Sequence, residues 1–223
     1  MSLAKQQTNR WQDIYEQSQS VWDERPDPML VEYAALIPPG DVLDLGIGEG
    51  RNAFFLARNG YTVRGIDFAP SAVERCNAQA KRLQLPVEAE VGNILDSHIP
   101  VSQYALIVST MTLQFMKPSE SEVVFARMKA GLAAGGVVYL TVFSTDDPSY
   151  GRLSQQGEAV EPNTYFAKSL GQHIHFFSKD EILAAFADLK LIYVAQQISY
   201  DLGHGDTPDP HYHGIITYMG KQH

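Results

Sequence analysis

Cysteine is nearly absent from the chain: Cys76 is the only one in 223 residues. That excludes a disulfide framework, and its place inside a helical pattern reads as a buried thiol in a reducing compartment, so a cytoplasmic location is expected. Basic side chains are scarce as well, with 17 Lys and Arg against 26 Asp and Glu and a formal charge of −9. Such a balance repels a phosphate backbone and leaves no basic stripe, which argues against a nucleic-acid partner. No apolar run approaches ~18 residues, and the first residues lack an apolar core followed by a cleavage site, so neither a membrane span nor a leader is expected. Internal repeats and low-complexity tracts are missing. Two further absences concern phosphates: a glycine-rich turn has Arg51 where a dinucleotide fingerprint needs its last glycine, and no Gly-Lys-Ser or Gly-Lys-Thr follows it. What is present, 44% hydrophobic residues, suffices for one well-buried α/β domain. The expected partner is a small molecule, bound by a monomer or a homodimer.

The chain is organised around that turn, Asp41-Val42-Leu43-Asp44-Leu45-Gly46-Ile47-Gly48-Glu49-Gly50-Arg51-Asn52. Val42, Leu43 and Leu45 read as a short buried strand, and Gly46, Gly48 and Gly50 let the backbone turn where a side chain would block a ligand. A helix starting near Arg51 would aim its free N–H groups at that ligand. The pattern suits a ligand carrying a nucleoside and an amino acid rather than phosphates. Tyr61 to Asp67 is then a second strand, and Asp67 stands 21 positions after Gly46, the spacing at which a carboxylate can accept from both ribose hydroxyls. The alternative role for Asp67 is a cap for the helix that starts near Pro70. Phe68 offers an apolar face for a purine ring. Asn93, after a third strand from Leu85 to Val91, reads either as a purine-edge contact or as a turn residue.

Residues 8 to 36 look helical, broken at Pro26-Asp27-Pro28, with Tyr15 and Trp22 placed either to cover a bound cofactor or simply to pack. Helices are expected over Asn52 to Asn59, Pro70 to Leu83 and from Pro118 to Gly135-Gly136. Tyr104 to Ser109 is a near-continuous apolar run, hence a central strand buried on both faces, and Thr110 to Phe115 leaves its carboxyl end, where ligands of open α/β sheets bind. Val137 to Phe143 is a fifth strand. Ser144 to Ser178 shows weak periodicity and reads as a substrate lid or as an extra helix padding the domain. Ser178 to Glu181 resembles a capping box ahead of a short helix; strands from Lys190 to Ala195 and Ile215 to Gly220 follow. The tail between them holds Asp201, His204, His211 and His213. A His-x-His pair suits zinc, iron or copper, but no Cys or Glu completes a ligand set, so no metal is expected.

Alternating strands and helices predict an α/β fold: a Rossmann-like, doubly wound, mostly parallel seven-stranded sheet with a C-terminal antiparallel strand and N-terminal helices. One domain is expected over 1–223, comprising a helical cap (1–40), a cofactor-binding core (41–143), a lid (144–178) and a C-terminal helix and hairpin (179–223).

The glycine turn, Asp67 at the next strand end and Gly92-Asn93-Ile94 after the third resemble the class I S-adenosylmethionine-dependent methyltransferases. Gly48-Glu49-Gly50-Arg51-Asn52, Asn59-Gly60-Tyr61-Thr62-Val63, Trp22 with Pro26-Asp27-Pro28, and Ser109-Thr110-Met111-Thr112-Leu113 are similar to its small-molecule branch of tellurite-resistance and thiopurine-type enzymes. The resemblance implies S-adenosylmethionine as cofactor, with S-adenosylhomocysteine as product, and in-line methyl transfer to a small-molecule thiol, oxyanion, hydroxyl or amine. It assigns Asp44, Gly46, Gly48 and Gly50 to the methionine end, Arg51 to the methionine carboxylate or the N-terminal helix, Asp67 to the ribose, Phe68 and Asn93 to the adenine, and Ser109 and Thr110 to the methyl side. A thiol or hydroxyl acceptor needs a proton acceptor, for which His204, His213 and Asp201 are the candidates by type. Two other classes share the pattern: a nicotinamide-dependent oxidoreductase, which has the sheet and the acidic ribose contact but is opposed by Arg51, and a non-catalytic binder of adenosylmethionine or adenosylhomocysteine, from which turnover with an acceptor would distinguish an enzyme.

Overall fold

The computed structural model describes residues 11–18, 21, 25–168, 170–201 and 209–220, without the side chains of 197–201, 209–216 and 218. Trp22 and His204 therefore lie outside the described residues, and Asp201, His211 and His213 are described by backbone alone.

Seven strands form one sheet in the order β3-β2-β1-β4-β5-β10-β9. β1 (Asp41–Leu45), β2 (Thr62–Asp67), β3 (Val87–Val91), β4 (Tyr104–Thr110) and β5 (Leu132–Val142) run parallel, while β10 (Asp209–Gly220) is antiparallel to β5 and to β9 (Lys190–Asp201). This is the expected fold class. Consecutive residues of β4 point to opposite faces. Leu106 and Val108 join a core with α3 (Arg51–Arg58), α4 (Pro70–Leu83) and Met29 and Leu30 of α2 (Pro28–Glu32). Ile107 joins the other core, beneath α5 (Pro118–Gly131) and α7 (Lys179–Ala185). Leu106 and Ile107 are both fully buried, so truncating either to Ala would cost about 2–5 kcal/mol.

Helix starts follow the local signals. Pro70 and Pro118 occupy first helical positions, and Ser178 accepts from Glu181 N at 3.1 Å in a capping box. The Gly135-Gly136 pair, however, does not end α5; the helix stops at Gly131 and β5 is already under way from Leu132. Gly136 sits inside the strand because a Cβ there would lie 2.7 Å from Tyr104 O of the neighbouring strand. At the amino end, residues 11–17 form α1, and Asp27 caps α2 by accepting from Met29 N at 3.0 Å.

Between β5 and β9 the chain leaves the sheet. It forms α6 (Pro148–Gln156) and a three-stranded antiparallel sheet of β6 (Glu158–Glu161), β7 (Thr164–Ala167) and β8 (Gln172–His175). The excursion is stitched shut at its root, where Phe177 N donates to Phe143 O at 2.8 Å and Thr145 N to Phe177 O at 3.0 Å. Ile174 and Phe176 pack with Phe115, Phe143 and Tyr150. The buried ring of His175 joins Thr164 Oγ1, 2.8 Å from Nδ1, to Glu181 Oε1, 2.8 Å from Nε2, tying the small sheet to α7.

Candidate cofactor site

The carboxyl ends of β1, β2 and β4 meet at one cavity of about 580 Å³. Its floor is the glycine turn. Gly46 donates to Ile66 O at 2.8 Å and has φ +86°, and a Cβ there would lie 2.1 Å from Thr112 Oγ1. Both the backbone angle and the close approach of the turn after β4 thus require glycine. Gly48 N donates to Asp67 Oδ2 at 2.9 Å while Ala69 N donates to Asp67 Oδ1 at 2.9 Å. One carboxylate therefore fixes the glycine turn and its own following turn together. Burial raises the Asp67 pKa, and the N–H groups of Ala69, Gly48 and Phe68 oppose that rise.

Asp44 lies deeper, 1% exposed, and its Oδ1 has no hydrogen-bond partner among the described residues. Burial first, and the nearby Asp67 charge second, push its carboxyl up to about 7, against the opposing pull of Arg51. A buried carboxyl with an orphaned oxygen, close to a second carboxylate, is a place where a cationic ligand gains more than it loses. An adenosyl-amino acid carrying an ammonium and a sulfonium fits that donor set.

Of the residues singled out from sequence, Asp44, Gly46, Gly48, Arg51, Asp67, Phe68, Asn93, Thr110 and Tyr15 are brought together on the cavity wall. Two are not. Ser109 is fully buried, and its hydroxyl donates to Leu45 O at 2.9 Å. It braces β1 against β4 from beneath, because adjacent strand residues face opposite ways and only Thr110 turns to the cavity. Gly50 is absent from the wall; its φ is +89° and a Cβ would meet Cys76 Sγ at 2.7 Å, so it serves the packing of α3 on α4. Asn93 lines the cavity, yet its amide also holds the turn it stands in, donating to Asp96 Oδ2 at 2.9 Å and accepting from Leu95 N at 3.1 Å. As for the tail, Asp201 pairs with Asp209 in the β9–β10 hairpin, and His213 falls in its irregular step between His211 and Gly214.

Three contributions escaped the sequence reading. Arg75 pairs with Glu49 at 2.8 Å and donates to Tyr15 O, and Glu49 also accepts from Val21 N at 3.0 Å. These bonds hold the amino-terminal segment over the turn. Asn52, 3% exposed, accepts from Asp27 N at 2.8 Å and donates to Thr110 Oγ1 at 3.1 Å. Gln172, at the start of β8, brings the excursion to the cavity wall. A lone charge pair or amide separated by tens of residues from its partners has no local signature.

A mostly parallel sheet with a glycine turn and an acid at successive strand ends is an arrangement that binds a nucleoside-bearing ligand at the carboxyl ends of its strands. Residues 42–136 match the methyltransferase domain family. Over that segment the chain is similar to methyltransferase domains. Among curated proteins it is similar to hemagglutinin 1 of Eikenella corrodens, 30% identical over 61% of this chain and 46% of that one. It is also similar to carboxy-S-adenosyl-L-methionine synthase of Klebsiella pneumoniae, 31% identical over 52% and 49%. The chain thus spans about half the length of the curated relatives it matches. Among solved structures, a methyltransferase from Methanosarcina mazei superposes with a TM-score of 0.73 at 20% identity, covering 89% of this chain and 99% of that one. TehB from Haemophilus influenzae superposes with 0.69 at 18%, covering 96% and 67%. At such identities these two carry the fold alone. Among the described residues no helix is long and apolar enough to cross a membrane.

Proposed function

We propose that this chain is an S-adenosylmethionine-dependent methyltransferase acting on a small-molecule acceptor in the cytoplasm. The observation that carries the reading is the convergence of Asp44, the Gly46 turn, Asp67 and Thr110, from three separate strand ends, on one cavity. Asp44 and the backbone at Gly46 and Gly48 would hold the methionine end, with Arg51 beside its carboxylate. Asp67 would accept from the ribose hydroxyls with the lone pairs left free by Gly48 and Ala69. Phe68 and the Asn93 turn would flank the adenine, and Thr110 would face the methyl side.

When bound, the cofactor supplies an electrophilic methyl group that passes in line from its sulfur to the acceptor's nucleophilic atom. The protein's work is alignment, exclusion of water and removal of the acceptor's proton. Alignment falls to the rigid strand ends. The α1 roof, held by Arg75, and the excursion between β5 and β9, read as a substrate lid, would keep water out. His204, His213 and Asp201 remain the candidates for taking the proton, and the cavity wall adds Glu120.

Titration calorimetry with adenosylmethionine, adenosylhomocysteine and NAD tests the reading. Binding of both adenosyl ligands but not NAD is expected, followed by formation of adenosylhomocysteine with an acceptor panel of thiols, oxyanions, phenols and amines. Binding of NAD alone would replace it with the oxidoreductase reading. Binding of the adenosyl ligands without turnover on any acceptor would leave a non-catalytic binder.

A further inference from the structure

The cavity has a wall that the cofactor contacts above do not use. It comprises Trp11, Met111, Phe115 and Met116 together with Gln172 of β8. Its aromatic side chains form a chain of ring contacts: the Trp11 and Phe115 rings meet edge to face at 5.6 Å, and Phe115 leans on Phe143 at 6.3 Å. Phe143 in turn stacks on Phe176, one residue beyond β8. Within this surface Gln172 is the polar exception. It is 3% exposed, it lines the cavity, and its Oε1 has no hydrogen-bond partner among the described residues. A buried amide oxygen without a partner carries a desolvation cost that a bound donor removes.

Structural need does not account for Gln172. The β7–β8 ladder aligns it with Ala167 through backbone bonds that any residue could make, and the hydrogen bonds that tie the small sheet to α7 run through Thr164 and His175. An apolar side chain would fill the position without leaving a polar atom stranded.

We propose that Gln172 is a specificity-determining residue for the methyl acceptor, its side-chain amide taking a hydrogen bond from an N–H or O–H of an aromatic molecule packed against Phe115 and Trp11. This rests on the methyltransferase reading and adds the acceptor class: a planar aromatic with at least one ring-borne donor. Acceptors that are compact inorganic oxyanions or wholly aliphatic do not satisfy that wall, since they neither cover the rings nor supply the donor.

The test uses full-length protein saturated with adenosylhomocysteine and the probe pair indole and benzofuran, which share shape and differ in one N–H. Dissociation constants come from ligand-observed NMR. The expected result is that indole binds about tenfold tighter than benzofuran, the value of one hydrogen bond to an otherwise unpaired buried acceptor. In Gln172→Met the gap should shrink to within about twofold, while calorimetry shows adenosylhomocysteine affinity retained and so confirms a folded variant. Equal binding of the two probes to the unaltered protein overturns the proposal even if the variant does not fold. So does an indole preference that survives Gln172→Met, or failure of both probes to bind protein that holds adenosylhomocysteine. If adenosylhomocysteine itself does not bind, the methyltransferase reading fails and this inference falls with it.

Discussion

Binding of adenosylmethionine should release a proton from Asp44. In the free protein the carboxyl is pushed up to about 7 by burial and by the Asp67 charge, so at pH 6 about nine in ten molecules carry it neutral. A ligand with a sulfonium and an ammonium favours the carboxylate, and the proton must leave as the ligand arrives. If only the ionised form binds, affinity falls about tenfold, or ~1.4 kcal/mol, between pH 8 and pH 6. Calorimetry in two buffers of different ionisation enthalpy measures the proton directly. Release should approach one proton per site at pH 6 and vanish well above neutrality. Asp44→Asn is the control, because titration of the ligand's own groups is common to both proteins and cancels in the comparison. The variant should bind more weakly at pH 8 and show no release attributable to position 44. The same shift has a consequence for the free fold. A carboxyl whose folded value lies above its ordinary 3.8 stabilises the fold fully below that value and loses the contribution as pH rises through about 7, so the variant should gain thermal stability over the parent at pH 8 but not at pH 4. Buffer-independent heats at pH 6, or an Asn variant with the same proton release as the parent, would refute the assignment.

Other perturbations probe the frame around that carboxyl. Gly46→Ala forces a Cβ to within 2.1 Å of Thr112 Oγ1 at φ +86° and should cost about 2–4 kcal/mol in denaturant melts; pairing it with Thr112→Gly should recover the steric part only, which a double-mutant cycle reads. Arg75→Ala removes its contacts with Glu49 and with the Tyr15 carbonyl together; limited proteolysis should cut the amino-terminal segment faster, and adenosylmethionine affinity should drop several-fold while α4 stays intact. His175→Ala leaves Thr164 facing a void and Glu181 without its contact, for an expected loss of about 2–4 kcal/mol of stability. An unchanged melting curve would show that the Thr164–His175–Glu181 chain does not hold the small sheet to α7.

Much of this architecture is legible in local sequence, and the reasons differ by element. Pro70, Pro118 and the Ser178–Glu181 box start helices because a missing N–H or a side-chain acceptor acts within one turn. The β4 run is short and apolar on both faces, as a strand covered on both sides of a parallel sheet requires. Gly135-Gly136 misled because the same dipeptide that stops helices also permits a bulged strand start, and only the approach of Tyr104 O distinguishes the two. The strands β6, β7 and β8 are four residues each, too short for alternation to rise above noise. That Asp44, Gly46, Gly48 and Asp67 meet at one cavity is legible because motif spacing is itself local, whereas Gly50 serves helix packing instead. Ser109 turns from the cavity to Leu45 O because strand alternation gives the cavity face to Thr110, and Arg75, Asn52 and Gln172 act across distances that only the fold brings together.

The root of the excursion has a consequence for how such a domain can diversify. Because β10 pairs directly with β5, and Phe177 returns beside Phe143 and Thr145, everything between those points hangs from one closed neck outside the seven-strand ladder. Lengthening its exposed turns costs only the slow logarithmic rise of loop closure and leaves the register of the seven-stranded sheet untouched. Selection can therefore rewrite what meets the outer wall of the cavity, Gln172 included, without disturbing Asp44, Asp67 or the glycine turn: an exchangeable face on a separately held floor.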